Sequence, residues 1–192
     1  MANKDAAFGF RPTRHLSGGL IRAEEMYIAA NYNTAIYNGQ VVEAQAAGGI
    51  EVAAAGDTQM AGVFGGVSYT DPTTSKPTWS NYYPASTNAS DLKATVYTDP
   101  NIIFEAQHDE TGTAAMNFAN LDFVGTSGST INGQSSSEID TSTANASSSA
   151  GGDFKQIGVS TDPDNSDTSS ANCNAYVVFS TGEHIHKLIT AV

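Results

Sequence analysis

Residues 34–69 read TAIYNGQVVEAQAAGGIEVAAAGDTQMAGVFGGVSY, a run of short apolar segments separated by glycine turns. Asn38-Gly39 stands between Thr34–Tyr37 and Gln40–Ala44. This dipeptide between apolar runs predicts a two-residue hairpin, because both turn residues must accept a positive φ. Gly48-Gly49 turns into Ile50–Ala54, and Gly56-Asp57 closes that strand. Met60–Tyr69 predicts a buried strand bent at Gly65-Gly66. The pattern is a meander of short strands.

The flanking sequence continues it. Met26, Ile28 and Ala30 alternate with Tyr27 and Ala29, while Leu92–Thr98 and Asn101–Gln107 flank Asp99-Pro100 as a second predicted hairpin. Asp153–Ser160 and Asn174–Ser180 read as closing strands around the polar turn Asp162–Asn172. Ala114, Phe118 and Leu121 have helical spacing behind Thr111, so at most one short helix is expected. From Gly125 to Ala150, 13 of 26 residues are Ser or Thr. Ordering such a stretch costs roughly 1–2 kcal/mol of backbone entropy per residue, which predicts a mobile loop or surface excursion. Residues 1–22 carry Gly9, Pro12, Gly18 and Gly19 and read as an extended arm. The expected fold is all-β: a β-sandwich or small β-barrel of roughly eight strands, built from meandering hairpins over 23–192, with an extended N-terminal arm over 1–22.

Composition narrows the function classes. Leu occurs five times against 22 Ile plus Val, and Lys, Arg and Glu are scarce, which argues against a helical bundle. Leu, Ile, Val and Phe make up 18% of a chain with net charge -12, so the core must be thin, and self-association would stabilise it. The acidic balance opposes broad nucleic-acid and anionic-membrane binding. Charge is also polarised. Residues 1–22 hold Lys4, Arg11, Arg14 and Arg22 against Asp5, whereas the remaining 170 residues hold 4 Lys and 19 acids. A basic arm on an acidic body suggests contact with an acidic partner surface. Residues 1–22 lack the apolar core of a signal peptide, and no apolar run is long enough to span a bilayer, so synthesis in a cytoplasm is expected.

Motifs for chemistry are sparse. Cys173 is the only cysteine, excluding an intrachain disulfide, and its Asn-Cys-Asn context has no local activator. Asp162, Asp164, Ser166 and Asp167 suggest a calcium loop, but Asp167 fills the required Gly position, so a solvated acidic turn is favoured. His184 and His186 flank Ile185 and would share a strand face able to chelate a metal, with Glu183 on the opposite face; surface histidines are favoured. No nucleophile elbow, phosphate loop or dinucleotide fingerprint is present, so no enzyme activity and no cofactor are expected. Trp79, Tyr82 and Tyr83, in a Pro-rich stretch, suit a sugar-stacking platform or, more often, a protein interface.

The opening MANKDAAFGFRP (1–12) resembles the start of a group of virion structural proteins from tailed phages of marine bacteria. GLIRA (19–23), NTAIYNG (33–39), IEVAAAGD (50–57), YPAS (83–86) and YTDPNIIFE (97–105) extend the resemblance over most of residues 1–105, and GVSTDPDN (158–165) adds to it. The meander with its IEVAAAGD segment is also similar to small head-decoration (cement) proteins. Such proteins are β-rich, usually trimeric, and clamp the outside of an icosahedral shell through an N-terminal arm. The resemblance implies a structural role on the outer surface of a capsid, with the major capsid protein and other copies of itself, as a homotrimer, for partners. Strand addition along Ala6–Phe10 would place Phe8 and Phe10 in pockets of the shell, Arg11, Arg14 and Arg22 would make bidentate pairs with its carboxylates, and Lys4 would join the partner contact. Removing residues 1–22 would then leave a folded body that no longer attaches. The alternative is a head-fibre or tail adhesin that meets the host surface through Trp79, Tyr82 and Tyr83 or the Ser/Thr-rich loop. A third reading, a small hydrolase, would need a pocket with converging carboxylates.

Overall fold

The computed structural model describes residues 3–144, 152–180, 182 and 184–187. In chain order the strands are β1 (Arg11–His15), β2 (Glu24–Tyr27), β3 (Ile36–Tyr37), β4 (Val41–Gln45) and β5 (Gly49–Val52). There follow β6 (Met60–Thr70), β7 (Pro77–Ser80), β8 (Tyr82–Tyr83), β9 (Lys93–Tyr97) and β10 (Ile102–Gln107). The last are β11 (Asn120–Leu121), β12 (Phe123–Val124), β13 (Glu138–Ile139), β14 (Phe154–Val159) and β15 (Asn174–Phe179). The fold is all-β as expected, with more and shorter strands than the eight foreseen.

Two antiparallel sheets form the body. One runs β1-β10-β15-β14-β11, and the other runs β2-β9-β6-β4-β5 with β7 on the far half of β6. Between them lies a core of Phe10, Val63, Phe104, Phe123, Phe154 and Phe179 with smaller residues from both sheets. The other face of the six-stranded sheet buries a second cluster that includes Ile36, Val42, Phe64, Tyr83, Leu92 and Val96. Successive side chains on β4 and β6 divide between these clusters: Val41, Met60 and Val63 face the first, Val42, Ala61 and Phe64 the second. A sheet buried on both faces needs apolar residues at every position, which is why β6 reads as a continuous apolar run. Its bend appears where expected, as a register shift between Phe64 and Gly66.

The Asn38-Gly39 and Asp99-Pro100 turns both exist, but neither joins paired strands. At Tyr37–Gln40 the Gln40 N–H donates to the Tyr37 carbonyl at 3.0 Å, yet of the two central residues only Gly39 takes a positive φ, 84°. This is type II geometry, which splays the flanking strands. β3 pairs with β8, whereas β4 pairs with β5 and β6. At Asp99-Pro100 the chain turns with Ile102 N–H on the Asp99 carbonyl (3.1 Å) and passes from one sheet to the other, since β9 and β10 belong to different sheets. The Gly48-Gly49 hairpin and the closing β14–β15 pair form as predicted. The expected helix reduces to a 3-10 turn at Ala114–Met116, ended by Phe118 in left-handed geometry (φ 69°).

Two further expectations are corrected. The N-terminal segment is not a free arm. Phe10 is fully buried, and β1 pairs with β10 along the edge of the five-stranded sheet. Ahead of it, the Lys4 carbonyl accepts from Gln107 Nε2 (2.8 Å), and Asn3 Nδ2 donates to the Asp167 carbonyl (2.8 Å). The described part of the Ser/Thr-rich stretch, up to Ala144, is also tied down. Gln40 Nε2 donates to the Thr126 carbonyl (2.7 Å), Ser135 and Ser137 are buried with hydroxyls 2.8 Å apart, and β12 pairs with β13. Hydroxyl and amide hydrogen bonds there take the place of apolar burial, which composition alone does not reveal. Residues 145–150 of that stretch lie outside the described residues.

These contacts reverse the expected effect of truncation: deleting residues 1–22 removes a core phenylalanine and an edge strand together. Phe10→Ala should lower unfolding stability by about 3–5 kcal/mol, measured by urea denaturation, and the 1–22 deletion should lose its cooperative unfolding transition.

Candidate interaction surface

The residues expected to meet a partner separate into bound and exposed groups. Lys4 Nζ is 2.6 Å from Asp164 Oδ2, which raises the lysine's pKa. Arg11 Nη2 lies 2.5 Å from Glu105 Oε2, its guanidinium 4.7 Å above the Phe8 ring, and Phe8 itself is half-buried. Arg14 stacks over Tyr176 at 5.0 Å. Three of the four basic groups are therefore occupied within the chain, and Phe10 lies in the protein's own core. Arg22 is exposed.

The longest exposed stretch of the N-terminal region is the segment 16–23 between β1 and β2, although Lys4–Ala6, Arg11, Thr13 and Arg14 are exposed as well. Leu16 is 54% and Leu20 80% exposed, so two of the five leucines in a leucine-poor chain lie in water. The loop is anchored: Leu16 N–H donates to the Asn101 carbonyl (3.0 Å), Gly18 N–H to the His15 carbonyl (3.0 Å), and Ile21 packs on the inter-sheet core. His15 Nε2 in turn meets Asp99 Oδ2 at 2.9 Å. Leu20 and Arg22 thus stand on a defined loop. The Gly18-Gly19 pair signalled the loop in the sequence, but nothing there separated it from the packed residues before it.

The aromatic cluster also divides. Tyr83 is fully buried and donates its hydroxyl to the Tyr32 carbonyl (2.9 Å). Tyr82 stacks on Tyr37 with ring centroids 5.7 Å apart. Only Trp79 remains on the surface, 63% exposed, at a groove of about 470 Å³ that also holds Ser68, Thr70, Asp91 and Lys93. Asp91 and Lys93 escaped the sequence reading; their i, i+2 spacing at the head of β9 was the available signal.

Buried polar groups complete the inventory. Cys173, expected to lack an activator, is brought to His108 by the fold, with Nδ1 3.2 Å from Sγ. Cys173 Sγ donates to the Gly112 carbonyl (3.2 Å), and His108 Nε2 is 2.9 Å from Gln156 Oε1. Burial pushes the thiol up and the imidazole down, favouring the neutral form of each rather than an activated ion pair. His184, expected at the surface, is buried 4.9 Å from the Phe179 ring, with the exposed His186 ring 5.4 Å away; Glu183 lies outside the described residues. In the acidic turn, Asp162 and Asp167 accept backbone N–H bonds from Asp164 and Ser169. Among the described residues, no group of three His, Cys, Asp or Glu could hold a metal ion, and no helix is long and apolar enough to cross a membrane.

Two carboxyls have strongly shifted pKa values. Burial, then the Asp57 and Glu51 carboxylates, push Glu43 up to about 7. Burial, then Asp5 and Asp109, push Glu138 up to about 7. Comparison with protein families, curated proteins and solved structures returned no match, so the functional reading rests on the chemistry of these surfaces and on the sequence blocks quoted above.

The raised carboxyls set a pH dependence. An acid whose folded pKa exceeds its unfolded value holds its proton more tightly when folded. Its contribution is full below the ordinary value of 4.5 and is lost as pH rises towards about 7. Glu43→Gln and Glu138→Gln should therefore each raise Tm at pH 8 and change it little at pH 4, as measured by calorimetry.

Proposed function

We propose that the protein is a structural virion component, a capsid decoration (cement) protein that binds the outer surface of a phage head and stabilises the shell. The observation that carries this reading is the anchored loop 16–23, which holds Leu16, Leu20 and Arg22 in solvent. Its residues 19–23 fall within a block that resembles phage virion proteins. Exposed leucines and a guanidinium on one loop suit an acidic shell surface with apolar pockets, where leucine burial supplies affinity and arginine supplies orientation. Because the loop is held at both ends, binding costs less ordering entropy than docking a free arm would.

The N-terminal region thus acts through its middle rather than its first ten residues, which belong to the body. Self-association as a homotrimer is part of the proposal, as is residence on the outer capsid surface with the major capsid protein as partner. No catalytic step, cofactor, nucleic-acid contact or membrane contact enters the reading. The buried neutral thiol and imidazole of Cys173 and His108 serve the core.

Quantitative mass spectrometry of purified particles tests the proposal. The expected result is a copy number equal to, or a simple fraction of, that of the main shell protein; a few copies per particle, or none, would overturn it. Leu20→Asp and Arg22→Glu should each weaken binding of the purified protein to undecorated shells by about tenfold, equivalent to ~1.4 kcal/mol, with the far-ultraviolet spectrum unchanged.

A further inference from the structure

We propose that the groove across β7, β6 and β9 is a carbohydrate-binding site, in which Trp79 stacks on a pyranose ring whose hydroxyls bond to Asp91 and Lys93. This site is separate from the shell-binding loop and does not depend on that reading.

The first support is how Trp79 is held. It stands directly opposite Ser68 on β6, and its indole lies on Gly66, where a Cβ would come within 2.8 Å of Cζ2 and 3.2 Å of Cε2. Gly66 also has φ 140°, a conformation that side-chain-bearing residues rarely adopt. The glycine lets one face of the ring rest on the strand while the residue stays 63% exposed. An indole of this size in water forgoes substantial burial energy. Pinned against a backbone, it is a rigid apolar platform with little entropy left to lose on binding.

The second support is what lies beside it. Ser68 pairs with Trp79 on one side and with Lys93 on the other, so the three residues form a line across three strands. Two strand spacings separate the backbones of Trp79 and Lys93 by about 10 Å. Asp91 is fixed independently. Both its carboxylate oxygens accept from Thr70 N–H at 3.1 Å, and Oδ2 accepts from Thr70 Oγ1 at 2.7 Å. These bonds hold its pKa below the usual range, so it is an acceptor at neutral pH. Lys93 reaches Glu25 Oε2 at 3.0 Å with its side chain more than half exposed, leaving donors for a ligand.

An apolar platform, a fixed carboxylate and an ammonium around an open groove match a polyhydroxylated ring: its C–H face meets the indole and its vicinal hydroxyls meet the charges. A volume of about 470 Å³ suits a ligand of this size.

Trp79 is the only tryptophan, so its emission reports on the groove directly. The full-length protein would be titrated with neutral tetrasaccharides of glucose, galactose, mannose and N-acetylglucosamine. The expected result is a saturable emission change with at least one sugar at or below about 1 mM. Asp91→Asn and Gly66→Ala should weaken it about fivefold or more, as expected for a lost charge-assisted hydrogen bond and a displaced platform. Asp91→Asn keeps the test open if Gly66→Ala fails to fold. No change with any sugar up to about 10 mM, confirmed by saturation-transfer NMR, would overturn the proposal. So would an emission shift that depends on protein concentration alone, which would assign the groove to a second copy of the chain.

Discussion

Phe10 is the contact on which the rest of the structure depends. Its ring stacks on Phe154 with centroids 4.4 Å apart and meets Phe123 edge-on at 6.3 Å, while Phe154 contacts Phe179, and Phe179 contacts Phe104. The backbone beside it makes this possible. Gly9 and Gly39 cross so closely that Phe10 N–H donates to the Gly39 carbonyl at 2.8 Å, and both glycines have positive φ. A side chain on Gly9 would fall within 2.6 Å of that carbonyl oxygen. In a chain short of leucine, aromatic stacking supplies much of the packing that aliphatic residues provide elsewhere. It joins the first residues of the chain to strands more than a hundred residues later.

Around that core, polar side chains complete the assembly. Gln107 bridges the Lys4 and Asn172 carbonyls, Asn165 reaches the same two, and Gln134 holds the Phe8 carbonyl. Such groups are costly to bury unpaired and stabilising when satisfied, so they fix one arrangement of loops that have little apolar surface. The Ser-rich segment after Gly125 follows the same logic, with Ser137 Oγ on the Gly125 carbonyl at 2.5 Å. Small residues allow the backbones to approach, and their hydroxyls supply the partners.

The two surfaces that carry a functional reading are unlike one another. The loop 16–23 offers exposed leucines and an arginine at one sheet's edge, whereas Trp79 lies on the other sheet, on the face that also carries Val63 and Tyr97. Lys4, Arg11 and Arg14 looked like partner contacts because they are basic residues in an acidic chain. The fold engages the same exposed side chains within the chain, on Asp164, Glu105 and Tyr176. For Lys4 and Arg11, the charge asymmetry is partly answered by acidic groups of the protein's own body.

Alternation, glycine placement and composition determined the all-β class, the β4–β5 hairpin, the bent apolar strand β6 and the closing β14–β15 pair, because these depend on period and turn chemistry within a few residues. Strand partnership across larger distances was decided only in the tertiary structure. Asn38-Gly39 and Asp99-Pro100 both turn the chain, but the strands after them join partners chosen by which apolar face reaches which core. The candidate surfaces share this origin. Whether Phe10 or Leu20 is buried, and whether Tyr83 or Trp79 faces water, depends on where the folded chain places each. A sequence carries that choice only through contacts that form once the whole chain has folded.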